Sequence, residues 1–106
     1  MIQVPHGEPF DVDDLIDHIS KSGRNYIIQG QQNCIFKDHT KPSSLDYWLR
    51  SREEKNKNIK QAENSVLDSL AATGRLKIFK KLPCPDSGRA CKGIVLVEAF
   101  LQGEGP

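Results

Sequence analysis

The side chains that could act as acids, bases or nucleophiles do not form a catalytic pattern in this chain. Nucleophilic catalysis needs a Ser or Cys beside a base that is itself oriented by a third group. His6, His18 and His39 fall in three separate segments, and no local motif joins them to a nucleophile. No glycine-rich phosphate loop occurs in the sequence either. The sequence therefore predicts a protein that is not an enzyme and that uses no cofactor.

A group of acids near the N-terminus resembles a metal site only superficially. Asp11, Asp13, Asp14 and Asp17 lie within seven positions, and two of them are one helical turn apart. Acids at the start of a helix are explained by the positive end of the helix dipole. We therefore predict no metal here, and we expect His18 to lie on the solvated side of the same helix.

The three cysteines favour neither a zinc site nor a disulfide framework. A zinc site would need Cys34, His39, Cys84 and Cys91 to converge from two distant segments, and the short knuckle spacing typical of such sites is missing. A disulfide between Cys84 and Cys91 is geometrically conceivable across a turn. Their spacing favours two small, half-buried thiols that flank a hairpin tip. An odd cysteine count is not typical of a secreted disulfide scaffold.

The length of 106 residues is that of one domain with one hydrophobic core. The longest apolar run, 94–97, is far short of the roughly 20 residues that span a bilayer. The N-terminus lacks the features of a signal peptide, so we predict a cytoplasmic protein, or a nuclear one in a eukaryote. We expect an ordered core over residues 10–101 and a flexible tail over 102–106.

The charges are unevenly distributed, although the formal net charge is only +1. Residues 1–20 contain five acids and no Lys or Arg, whereas residues 50–92 contain eleven Lys or Arg against five acids. Such an asymmetry is typical of a surface that faces a polyanion.

Two helices are predicted in the first half of the chain. Asp11 is a suitable N-cap for a helix over residues 12–22, whose apolar residues recur at helical spacing. Ser43 or Ser44 can cap a second helix over residues 45–52.

A third helix is predicted over residues 58–73. Asn58 has the character of an N-cap, and Gln61 occupies the capping-box position three residues later. A strong apolar stripe follows, and Gly74 provides a C-terminal stop.

Strands are predicted on both sides of these helices. The runs 26–28 and 34–36 are separated by a polar connection and predict a hairpin. The runs 76–79 and 93–98 predict a second hairpin over residues 76–98, because the Pro-Asp-Ser-Gly segment between them is a turn signal. The predicted fold class is α+β, with three helices and a C-terminal hairpin.

This order of elements, over roughly residues 10–98, resembles the winged helix-turn-helix superfamily. The resemblance implies that the third helix enters the major groove of double-stranded DNA and that the C-terminal hairpin, the wing, contacts the DNA backbone. Two features depart from that superfamily. The hairpin at 26–36 is longer than the single short strand usual there, and the basic stretch 52–58 is longer than a tight helix-turn-helix turn. Either departure would fit a different α+β fold.

The predicted DNA contacts lie before and within the third helix and on the wing. Gln and Asn side chains can pair with adenine through two hydrogen bonds, and Lys can bind guanine or phosphate. Basic side chains on a wing would contact phosphates rather than bases. The predicted DNA-binding residues are Lys55, Lys57, Asn58, Lys60, Gln61, Asn64, Lys80, Lys81, Arg89 and Lys92.

Two hypotheses for function follow. The first is a DNA-binding domain, from a transcriptional regulator or a DNA-processing protein. The second is a protein-binding module that uses the acidic first helix or an open strand edge. The low net charge and two acids on the third helix, Glu63 and Asp68, favour the second hypothesis, whereas the basic residues of 50–92 favour the first.

Overall fold

The computed structural model describes residues 1–30, 43–57, 59, 62–86 and 88–97. These residues contain three α-helices and a three-stranded antiparallel sheet, so the predicted α+β class is confirmed. In chain order the elements are α1 (Val12–Lys21), β1 (Tyr26–Ile28), α2 (Leu45–Arg52), a 3-10 helix (Glu54–Asn56), α3 (Asn64–Ala72), β2 (Leu76–Pro83) and β3 (Ala90–Leu96).

The first two helices begin at predicted capping residues. The Asp11 carboxylate accepts a hydrogen bond from the backbone N–H of Asp13 at 3.1 Å. The Ser44 hydroxyl accepts one from the backbone N–H of Tyr47 at 3.3 Å. After α1, Gly23 adopts a φ of +81°, a left-handed conformation that glycine takes without steric cost. Both predicted helices are therefore confirmed, and only the last residue of the first one differs.

The third helix is shorter than predicted. α3 begins at Asn64 with Glu63 as its N-cap, so the predicted start at residue 58 is wrong. Lys55 belongs to the separate 3-10 helix, and Lys57 is the residue that caps the C-terminus of that helix. Neither lysine is therefore positioned by α3.

The sheet has the strand order β1–β3–β2, and both pairs of neighbours are antiparallel. β1 pairs with β3, with Tyr26 opposite Val95. Its predicted partner, the strand at 34–36, lies outside the described residues. The C-terminal hairpin is confirmed, but its strands reach closer to the turn than predicted, since β2 extends to Pro83 and β3 begins at Ala90.

The main core lies between the helices and one face of the sheet. It includes fully buried residues from α1, α2 and α3, such as Leu15, Leu45 and Leu70. Ile2 and Val4, from the segment before α1, are also buried in it. Among the described residues, no helix has the length and apolar character needed to cross a membrane.

A bulge in β2 allows the opposite face of the sheet to carry a second, smaller core. Ile78 packs against the main core, and the next residue, Phe79, packs against the second. If the side chains of β2 alternated strictly between the two faces of the sheet, Leu82 would face the main core. The register instead shifts between Phe79 and Leu82, which places Leu82 in the second core with Ile28 and Val95.

His18 packs against α2, although a solvated position was predicted. Its ring stacks on that of Trp48, with centroids 5.7 Å apart and an interplanar angle of 30°. Burial lowers the pKa of His18, and the neighbouring Asp17 acts in the opposite direction. The stacking is possible because the apolar stripe of α1 brings this side of the helix toward Trp48, which is itself buried.

Candidate functional site

The bulge in β2 brings three lysines to one position of the hairpin. Phe79 pairs with Gly93, and Leu82 pairs with Cys91. Two residues of β2 therefore stand opposite a single residue of β3, and all three are lysines. These residues, termed the bulge lysines below, are Lys80 and Lys81 on β2 and Lys92 on β3.

Among the described residues, no acid forms an ion pair with the bulge lysines. Lys80 and Lys81 are exposed, because the bulge interrupts the alternation that would turn one of them inward. Neither forms an ion pair with any residue that the structure describes. Like charges on opposite positions of paired strands are destabilising. The hairpin therefore holds together charges that repel each other.

Lys92 also joins the hairpin to the first turn of α3. Its ammonium group donates a hydrogen bond to Oδ1 of Asn64 at 3.3 Å. Nε2 of Gln29 donates to the same oxygen at 2.9 Å. Gln29 follows β1 directly, is 5% exposed, and donates its backbone N–H to the carbonyl of Lys92 at 2.7 Å. The end of β1, the middle of β3 and the start of α3 therefore meet at Asn64.

The donors around Asn64 fix the orientation of its amide. Nε2 of Gln29 also donates to the backbone carbonyl of Ala62 at 2.7 Å, a group that can only accept. The nitrogen end of the Gln29 amide therefore faces Asn64, and the Asn64 atom beside it must be the oxygen. Lys92, which can only donate, requires the same orientation. Nδ2 of Asn64 occupies the other end of the amide and makes no hydrogen bond to another described residue.

Gln29 was not predicted as part of any site. It falls in the predicted polar connection between two strands, whereas the structure buries it between β3, α2 and the start of α3. The one available signal was its position directly after two buried isoleucines, Ile27 and Ile28. A polar residue that continues a buried strand must satisfy its hydrogen bonds with protein groups.

Two of the other predicted DNA-binding lysines are paired with acids. Lys55 lies 3.4 Å from the carboxylate of Glu8, and Lys57 lies 3.1 Å from that of Glu54. Exposed pairs of this kind contribute little to stability, but they balance the local charge. Arg89 is exposed beside the hairpin turn. The remaining predicted residues, Asn58, Lys60 and Gln61, lie outside the described residues.

The helix predicted to read bases carries no basic residue. Asp68 is the single charged residue of α3 and is exposed, and Glu63, its N-cap, is exposed as well. Of the predicted base-reading residues, only Asn64 belongs to α3.

The acids of α1 are paired with basic residues. Two of them contact residues beyond α1, which ties the helix to α2 and to the start of β2. A protein partner that recognised this acidic helix would have to displace these internal pairs. The pairs are Asp13–Arg75, Asp14–Arg52 and Asp17–Lys21.

The cysteines at the hairpin turn lie on the same face of the sheet. Cys91 pairs with Leu82. Cys84 lies two residues after Leu82, on the β2 side of the turn, so the two cysteines occupy diagonal positions. Cys84 is buried and Cys91 is half-buried, both against the second core. Cys34 and His39, considered with them as zinc ligands, lie outside the described residues.

Comparisons with known proteins give no independent assignment. No family model matches the chain, and no curated protein or solved structure shows significant similarity to it.

Proposed function

We propose that this chain is a winged-helix module that binds double-stranded DNA, with the β2–β3 hairpin as its wing. The observation that carries the proposal is the opposition of Lys80 and Lys81 to Lys92, with no acid among the described residues paired to them. Repulsion between these lysines costs stability in the free protein. The negative charges of DNA phosphates would offset this repulsion, so the same lysines would contribute favourably to the free energy of binding.

The order of the elements supports a winged-helix arrangement. α3 leads directly into the hairpin, and Leu70 of α3 shares the main core with Leu76 and Ile94 of the two hairpin strands. A winged helix must present its third helix and its wing to the same duplex. The hydrogen bond from Lys92 to Asn64 joins these two parts at the position where the bulge lysines lie.

The hairpin edge also weighs against the protein-binding alternative. Among the described strands β2 lies at an edge, since the sheet order is β1–β3–β2. Exposed lysines and a bulge on an edge strand disfavour the addition of a strand from another chain. Lys80 and Lys81 therefore disfavour strand pairing. Binding to a phosphate, by contrast, requires only the positive charge of these lysines.

The proposal implies a defined dependence of binding on salt. Each lysine that neutralises a phosphate of a B-form duplex adds about −0.9 to the slope of log K against log salt concentration. Three bulge lysines would together give a slope of about −2.7.

The test is a titration of a fluorescently labelled mixed-sequence duplex with protein, followed by anisotropy at several salt concentrations. Wild type would be compared with Lys80→Ala/Lys81→Ala and with Lys55→Ala/Lys57→Ala. The control removes two charges from exposed lysines that are paired with acids. We expect the first variant to bind more weakly, with a slope shallower by about 1.8, and the control to keep the wild-type slope.

Two outcomes would overturn the proposal. Equal losses in the two double variants would show that binding follows net charge and does not involve the wing. Absence of binding by wild type at low salt would exclude DNA as the partner.

A further inference from the structure

We infer that Asn64 contacts a phosphate of the bound duplex and does not read adenine, an inference that rests on the proposed DNA binding. Recognition of adenine by Asn uses both ends of the amide: Oδ1 accepts from the base amino group, and Nδ2 donates to a ring nitrogen. In this chain Oδ1 of Asn64 already accepts from Gln29 and from Lys92. The end of the amide that adenine would need as an acceptor is therefore occupied.

A 180° rotation of the Asn64 amide would be energetically unfavourable. If its nitrogen faced Gln29 and Lys92, three donors would meet without an acceptor. Gln29 could not compensate, because it is 5% exposed and its nitrogen is held by the carbonyl of Ala62. Rotating the Gln29 amide would break its hydrogen bond to the buried carbonyl of Ala62. A buried polar group that loses its hydrogen-bond partner destabilises the protein.

No described residue accepts a hydrogen bond from Nδ2 of Asn64, so this side chain offers a ligand a donor, beside other donors. Nδ2 of Asn64 lies on the same side chain whose oxygen contacts the Lys92 ammonium. Lys92 in turn stands opposite Lys80 and Lys81. A phosphate oxygen accepts hydrogen bonds and carries negative charge, so it matches this set of donors, whereas a base edge presents donors and acceptors together.

The same arrangement indicates the kind of recognition that α3 provides. A contact from Asn64 to phosphate fixes the position of the duplex without reporting its sequence. Asp68, exposed one turn further along α3, would repel a phosphate near it. The contact is therefore confined to the first turn of α3, next to the wing.

The experiment compares Asn64→Ala with Ser65→Ala on two duplexes of equal length, one made of G·C pairs and one of A·T pairs. Ser65 is the matched control because it is the adjacent exposed residue of the same turn. We expect Asn64→Ala to weaken binding about tenfold on both duplexes, by the same factor, as for one lost hydrogen bond to a charged group. Ser65→Ala should stay within about twofold of wild type, because no side-chain hydrogen bond of Ser65 to a described residue is lost.

A second measurement does not depend on a variant. In wild-type protein labelled with ¹⁵N, the side-chain NH₂ signal of Asn64 should shift on addition of either duplex. A loss of affinity confined to the A·T duplex, or a shift seen with that duplex alone, would overturn the inference while leaving DNA binding intact. Unchanged affinity of Asn64→Ala on both duplexes would overturn it too. Failure of wild type to bind either duplex would instead overturn the proposed function.

Discussion

The backbone N–H of Glu8 donates to Oδ1 of Asn56 at 2.8 Å, across 48 positions of the sequence. Asn56 is 1% exposed, and its Nδ2 donates to the backbone carbonyl of Leu49 at 3.0 Å. One amide side chain therefore joins the N-terminal segment to α2 through the 3-10 helix. The packing around it is tight, because a Cβ added to Gly7 would lie 2.3 Å from the same Oδ1.

Asn56→Ala is expected to lower the free energy of unfolding by about 1–3 kcal/mol, because backbone groups of Glu8 and Leu49 lose their partner. Urea unfolding followed by Trp48 fluorescence would measure the change. The adjacent Lys57→Ala is the control, since that side chain is exposed and should change stability by less than about 0.5 kcal/mol. Equal stability of the two variants would contradict the bridging role of Asn56.

Gly93 is needed where β1 approaches β3. A Cβ at this position would lie 2.3 Å from the carbonyl oxygen of Ile27 and 3.0 Å from a methyl group of Leu82. We expect Gly93→Ala to destabilise the protein by about 1–3 kcal/mol, the usual cost of overpacking. Ala90→Ser, at an exposed position of the same strand, should change the free energy of unfolding by less than about 0.5 kcal/mol. Wild-type stability of Gly93→Ala would show that β1 does not approach β3 this closely.

The stability of the α1–α2 contact should depend on pH through His18. Burial lowers the pKa of His18 in the folded protein, although the neighbouring Asp17 acts in the opposite direction. The unfolded chain then binds the proton more tightly, so the free energy of unfolding should fall as pH drops below about 6.5 and level off below the folded pKa.

Unfolding curves at several pH values for wild type, His18→Gln and His6→Asn would test this dependence. His18→Gln should lose the part of the pH dependence that arises in this window, whereas His6→Asn, at an exposed position, should keep it. If both variants retained the wild-type pH dependence, His18 would not be its source.

The helix ends that local chemistry determines could be predicted from the sequence. Asp11 and Ser44 cap α1 and α2 through hydrogen bonds within two or three residues, so their signal lies in adjacent positions. Gly23 and Gly74 adopt the left-handed conformation that ends a helix.

Features that depend on distant contacts could not be predicted in the same way. A capping pattern at Asn58 suggested an early start for the third helix, whereas α3 begins at Asn64, where Gln29 and Lys92 supply contacts from the sheet. The local turn signal likewise could not show that β1 pairs with β3, because strand pairing is set by tertiary packing.

The candidate site was predicted in part. Lys80, Lys81 and Lys92 were assigned to the wing from their positive charge, but the sequence does not show that a bulge sets them opposite one another. With that bulge, Phe79 and Leu82 pack against the same face of the sheet although they are three positions apart.

DNA binding by the hairpin can be observed directly in an NMR titration of ¹⁵N-labelled protein with a mixed-sequence duplex at low and at moderate salt. We expect shifts at the bulge lysines and at Asn64, and these shifts should fade as salt rises. Shifts centred on α1, or no shifts at low salt, would contradict the assignment of the β2–β3 hairpin as a DNA-binding wing.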